Sequence, residues 1–99
     1  MAALTLLEKV KVNLRISSTS FDDGEITPLI DAAKADLISA GVDSVMVTAG
    51  TDALIVRAIC VYVKANFGFD NPDADRLTQS YEMLKTHLSI AEDYAQEVT

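Results

Sequence analysis

Cysteine and histidine are almost missing from this 99-residue chain, which holds one of each, Cys60 and His87. A single cysteine excludes an internal disulfide and suits a reducing compartment. One Cys and one His cannot supply the set of such ligands that holds a structural zinc ion. Glycine is also scarce, with four residues, and none of them builds a phosphate-cradling loop. Neither G-x-S-x-G nor H-E-x-x-H occurs. Long hydrophobic runs are lacking too. The greasiest segment, residues 53–67, carries Arg57 and Lys64 and falls short of the roughly 20 apolar residues of a membrane span. The opening "MAALTLLEKVK" has no basic leader and meets Glu8 early, so no secretory signal is expected.

Positive charge is the other deficit. Eight Lys and Arg face fifteen Asp and Glu, a net charge of −7, which argues against a surface that grips nucleic acid, because phosphate binding needs clustered cations. The imbalance is uneven. Lys9, Lys11 and Arg15 against Glu8 leave residues 1–20 at +2, so the remaining 79 residues carry −9. A solvated acidic surface that aids solubility explains this; so does a basic end that meets an acidic neighbour in an assembly.

What the chain does have is helical periodicity. The expected fold is all-α, one domain over residues 1–99, a bundle of about four helices with a central apolar third helix and a long amphipathic last one. In "TLLEKVKVNLRI", Thr5 and Glu8 are spaced as a capping box, and Leu7, Val10 and Leu14 share one face. After "SSTSFDDG", the stripe Ile26, Leu29, Ile30, Ala33, Leu37, Ile38 marks a second helix. It starts either at Asp22 or Asp23, or at Thr27 with Pro28 in the first turn; Ile26 in the stripe favours the earlier start, and Gly41 ends it. Residues 42–50 fit a short strand or an apolar strap. "TDALIVRAICVYVKANF" is apolar nearly all round, with Arg57 and Lys64 on one narrow face where their stems can snorkel to water. The last helix is expected from Pro72, capped by Asn71, to about Gln96, on a seam of Leu77, Tyr81, Leu84, Leu88, Ala91, Ala95 and Val98. Such a helix reaches roughly 37 Å, longer than a three-helix body covers.

"NFGFDNPDADRLTQSYE" looks at first like a calcium loop, with oxygens at Asn71, Asp73, Asp75, Gln79 and Glu82. The glycine that such a loop needs at its sixth position is here Arg76, and Leu77 and Tyr81 already belong to the helical seam. A helix start explains the same oxygens: Asn71 caps, Pro72 opens, and Asp73 and Asp75 face the positive end of the helix dipole. Cys60 fits a small core residue rather than a nucleophile. His87 fits an exposed or interfacial residue. The adjacent carboxylates Asp22–Asp23 and Glu92–Asp93 lack the convergent pocket of acid–base chemistry. No enzyme, metal or cofactor is expected.

Two segments, "LLEKVKVNLRI … DDGEITPLIDAAKADLISAGV" and above all "DALIVRAICVYVKANFGFDNPDADRLTQSYEMLKTHL", resemble the small head–tail connector proteins of tailed bacteriophages and prophages, also known as DNA-packaging adaptors. The resemblance implies a virion structural protein that forms a ring, twelvefold in the virion, below the portal protein of the filled capsid. There it extends the DNA channel, without sequence-specific DNA binding, and docks the next head-completion or tail protein. It implies assembly in the host cytoplasm and no membrane partner. The matched positions Ala65, Asn66, Phe67, Gly68, Asn71, Pro72, Asp73 and Arg76 look like a structural corner. From the residues themselves, the expected interface is the distal seam (Leu88, Ala91, Tyr94, Ala95, Val98) with Arg57 and Lys64. A small cytosolic adaptor that dimerises through the same seam, with no virion role, is the alternative.

Overall fold

The first helix is fastened at both ends by local hydrogen bonds. In the computed structural model, which describes residues 4–68 and 71–97, α1 (Leu6–Leu14) begins with the expected capping box. The Glu8 amide donates to Thr5 Oγ1 (3.2 Å) and the Thr5 amide donates to Glu8 Oε1 (3.0 Å). At its far end the Arg15 amide donates to Val12 and the Ile16 amide reaches back to Lys11, closing a Schellman motif that requires Arg15 in the left-handed region (φ 62°).

The expected early start of the second helix is met in an unexpected form. A single π-helical turn (Asp22–Ile26) runs directly into α2 (Thr27–Ser39). Pro28 explains the wide turn: its ring crowds the carbonyl four residues back and it has no N–H to bond there. The Ile26 and Thr27 amides instead donate five residues back, to Phe21 and Asp22. α2 ends as expected around Gly41 (φ 105°). Gly41 donates to Ile38, Val42 donates to Leu37, and the Val42 and Leu37 side chains are both fully buried.

Residues 42–50 are neither strand nor extended strap. Asp43 accepts from the amides of Val45 and Met46 and so caps a short helix, α3 (Ser44–Ala49). Asp52 does the same for Leu54 and Ile55 at the start of α4 (Ala53–Asn66). α4 is the central helix that the sequence predicts. Ile55, Ala58, Ile59, Cys60, Val63 and Ala65 are buried, and α1, α2 and α5 pack around it.

α5 (Ala74–Ile90) is shorter than expected at both ends. Asn71 still acts on the first turn, because its Oδ1 accepts the Asp73 amide (3.1 Å), but the helix itself starts after Asp73. At the other end it stops at Ile90 and does not continue to Gln96. The chain turns at Ala91 and lies back along the α2–α3 connection. There the Asp43 amide donates to the Tyr94 carbonyl, the Gln96 amide donates to the Gly41 carbonyl (both 2.8 Å), and Val42 pairs with Ala95 in an isolated antiparallel bridge. The fully buried Val42 leaves Gly41 and Asp43 with backbone groups that need partners, and the returning tail supplies them.

Candidate functional site

The corner between α4 and α5 is built from the segment that the sequence singles out. Gly68 (φ 82°) takes a conformation that L side chains rarely adopt, and its amide donates to Glu25 Oε1 (3.0 Å). Phe67 meets Phe21 edge-on, with ring centroids 5.5 Å apart. The acidic π-turn therefore holds the end of α4. Asn71 Nδ2 donates to the Lys64 carbonyl (2.7 Å), which draws the start of α5 onto the last turn of α4. Pro72 follows in the turn, and Arg76 reaches Asp73 at 3.6 Å on the exposed surface. Asp75, Gln79 and Glu82 lie on the helix itself, so they cannot wrap an ion as a loop would.

Sequence reasoning missed a polar cluster between α2 and α5. Tyr81 donates to Asp36 Oδ2 at 2.5 Å, and Lys85 Nζ reaches the same oxygen at 3.0 Å and Glu82 at 2.9 Å. Tyr62 packs edge-on against Tyr81, with centroids 5.0 Å apart. Burial tends to raise the Asp36 pKa, but the Tyr81 hydroxyl and the Lys85 ammonium outweigh it and hold the carboxyl below its ordinary value. Burial and the neighbouring carboxylate push Tyr81 far up. Lys85 is raised too, because its two carboxylate partners overcome its desolvation. The protons of Asp36, Tyr81 and Lys85 are thus each held away from neutrality. General acid–base work wants the opposite, a pKa near the working pH. The cluster acts as a clamp between helices. Only the tyrosine in the seam was visible beforehand; Asp36 lies on a different helix, and nothing in local spacing pairs the two.

Burial likewise pushes the Cys60 thiol up, against the pull of the Lys9 charge.

The structure separates the residues of the expected interface. Leu88 is fully buried in its own subunit. Tyr94 packs on the same core and its hydroxyl contacts Asp52 Oδ1 (3.3 Å); Ala91 and Ala95 are half-buried in the turn and the bridge. Val98 lies outside the described residues. Among the described residues the seam therefore packs on its own chain, and the last helix is not the overlong ridge that the periodicity predicts. Arg57 and Lys64 are exposed on α4, but Lys64 meets the corner whereas Arg57 borders a groove of about 300 Å³ with Ser80, Met83, Leu84 and His87.

The apolar surface that is left open lies elsewhere. On α5, Met83 and Ile90 are 74% and 76% exposed, with His87 between them. At α1, Leu4 just before the helix lines one shallow groove with Glu8, Lys11 and Val12, and Val12 is 65% exposed. These positions were passed over because they fall outside the stripes that mark the core. Their signal in the sequence is a large apolar residue on the polar side of an amphipathic helix.

No curated protein and no solved structure matches the chain. Among the described residues, no helix is long and apolar enough to cross a membrane. The family model described as phage connector protein matches residues 6–95, nearly the whole chain and every helix above, so the chain belongs to the phage connector protein family, a structural family of phage assembly.

Proposed function

We infer that the chain is a ring-forming adaptor at the head–tail junction of a phage or prophage particle. Copies of it sit below the capsid portal, extend the DNA channel and receive the next head-completion or tail protein. The observation that carries this reading is the family match across residues 6–95. Two features agree with it. The fold is closed and self-capped, with a polar clamp held away from neutral proton exchange rather than a poised reactive group. The balance of −7 suits a lumen past which DNA slides, since like charge keeps phosphates from sticking. Arg57 and Lys64, exposed on α4, are interface residues in this reading, and the tail residues Ala91, Tyr94 and Ala95 are within reach of a neighbour at their exposed edges. Leu88 is not, since it has no exposed surface.

Co-sedimentation with a phage portal protein, followed by negative-stain microscopy, tests the proposal. Rings of many copies on one end of the portal are the expected result. A compact dimer that ignores the portal would return the chain to a cytosolic adaptor role.

A further inference from the structure

Beside the clamp, α2, α4 and α5 leave a half-enclosed cavity of about 220 Å³. Pockets for whole small-molecule ligands run to roughly 300–1,000 Å³, so this one suits a group the size of a single side chain. Tyr62 and Tyr81 supply aromatic walls, Asp36 and Glu82 supply carboxylates, and Asn66 and Thr78 add neutral polar groups. No cation lines it. Lys85 stands outside the lining and is already engaged, with Asp36 Oδ2 at 3.0 Å and with the two Glu82 oxygens at 3.1 and 2.9 Å. Two carboxylates against one ammonium leave the cavity with a net negative charge.

The unused hydrogen-bonding capacity lies on the acceptor side. Tyr81 and Lys85 both donate to Asp36 Oδ2, and no group among the described residues donates to its Oδ1. Asn66 gives its Nδ2 to the Tyr62 carbonyl (2.8 Å), which leaves its Oδ1 to accept. The Thr78 and Tyr62 hydroxyls keep acceptor lone pairs as well. The rings favour a cation too: the Lys85 ammonium lies 5.3 Å from the Tyr81 centroid, within cation–π reach. A metal ion fits poorly, because Lys85 holds both carboxylates and no group of three ligating side chains forms among the described residues. An ammonium is a compact, strongly hydrated point charge, whereas a guanidinium is flat, weakly hydrated and carries its N–H donors in one plane. Acceptors spread over three helices between aromatic walls match the second. We propose that this cavity receives the arginine side chain of a partner protein, its guanidinium beside the Tyr62 ring and donating to Asp36 Oδ1 and to the oxygens of Asn66 and Thr78. It rests on the assembly reading above only in taking the arginine from a protein.

Titration of the full chain, free in solution, with N-acetyl-arginine methylamide decides the matter, followed by the amide signals in nitrogen–proton NMR spectra. The Asn66, Thr78 and Glu82 signals should shift together and saturate in the millimolar range. The citrulline counterpart, of the same shape but uncharged, should shift none of them, and the lysine counterpart should bind more weakly. Free L-arginine should bind no more tightly than the blocked form, because Asp36 and Glu82 repel its carboxylate; tighter binding would make the ligand a free amino acid and overturn the partner. Thr78 and Glu82 are exposed, so substitution there leaves the fold intact. Thr78→Phe fills the cavity and should abolish saturation, while Glu82→Gln should weaken binding about twofold to fivefold. Shifts that never saturate, that citrulline or lysine reproduces, or that persist in Thr78→Phe would overturn the proposal. Because the free subunit is used, such a failure leaves the ring reading standing, and a wild type that never assembles on a portal leaves the cavity's ligand unchanged.

Discussion

At the scale of single residues, Arg15 holds a backbone conformation that costs an L residue about 1–2 kcal/mol, as the one described non-glycine residue with positive φ. Glycine avoids that cost but is more flexible when unfolded, which returns about 0.4–1 kcal/mol. Arg15→Gly should therefore raise stability by roughly 0.5–1 kcal/mol, read as an increase in the urea midpoint. The clamp gives a prediction in pH. Asp36 has a lowered pKa in the folded chain, so its contribution is present above the ordinary aspartate value of about 4 and fades as pH falls through the lower folded value. Lys85 has a raised pKa, so its contribution is full below its ordinary value and lost as alkaline pH passes the folded one. The stability difference between wild type and Asp36→Asn should be flat from about pH 5 to 9 and shrink at the acid end. Urea titrations of both chains across that range check it. Tyr81→Phe removes one hydrogen bond to a partly solvent-exposed carboxylate and should cost about 1 kcal/mol. The Thr5–Glu8 capping box was legible because its partners lie three residues apart, whereas the Asp43 and Asp52 caps were not read. The Asp43 and Asp52 caps carry the same local signal, an aspartate before an apolar run. The clamp was not legible, because its members are far apart along the chain.

At the scale of elements, the tail is the instructive case. Its a/d pattern runs on through Ala91 and Ala95 with no Gly or Pro to stop it, so periodicity alone extends the helix. The structure ends it at Ile90 because the neighbouring turn at Gly41–Asp43 holds backbone groups that a straight helix would leave unpaired. Hydrophobic spacing says which residues face inward and says little about such distant demands. The same limit explains α3: a six-residue helix has too little length to show a period. By contrast the stripes of α1 and α2, each two turns or more, were legible, except that Ile38 of the α2 stripe is exposed, and α4 was legible as the central helix from its apolar surround. Removing residues 92–99 deletes the two backbone hydrogen bonds that tie the tail to the α2–α3 connection and the packing of Tyr94, and should cost about 2–4 kcal/mol without loss of helical signal. Cutting after His87 also removes the fully buried Leu88. That truncation should leave too little core to fold cooperatively, and a denaturation curve followed by circular dichroism separates the two cases.

At the scale of the whole molecule, core and contact use different residues. Among the described residues the subunit shelters its own seam, and the large apolar side chains most open to water, Val12, Val45, Met83 and Ile90, lie in short strips on α1, α3 and α5. Substitutions at exposed positions should accordingly separate assembly from folding. Met83→Ser with Ile90→Ser should change stability by no more than about 0.5 kcal/mol, read from the urea midpoint, while Arg57→Glu, at an exposed position of the proposed interface, should weaken assembly on the portal without unfolding the subunit. The central claim is that a self-contained phage connector subunit closes into a ring through a repeated contact between unlike faces. Native mass spectrometry of the complex with portal tests it most directly. The account predicts one dominant species with a fixed number of copies well above two; free subunits or simple dimers in the presence of portal would contradict it.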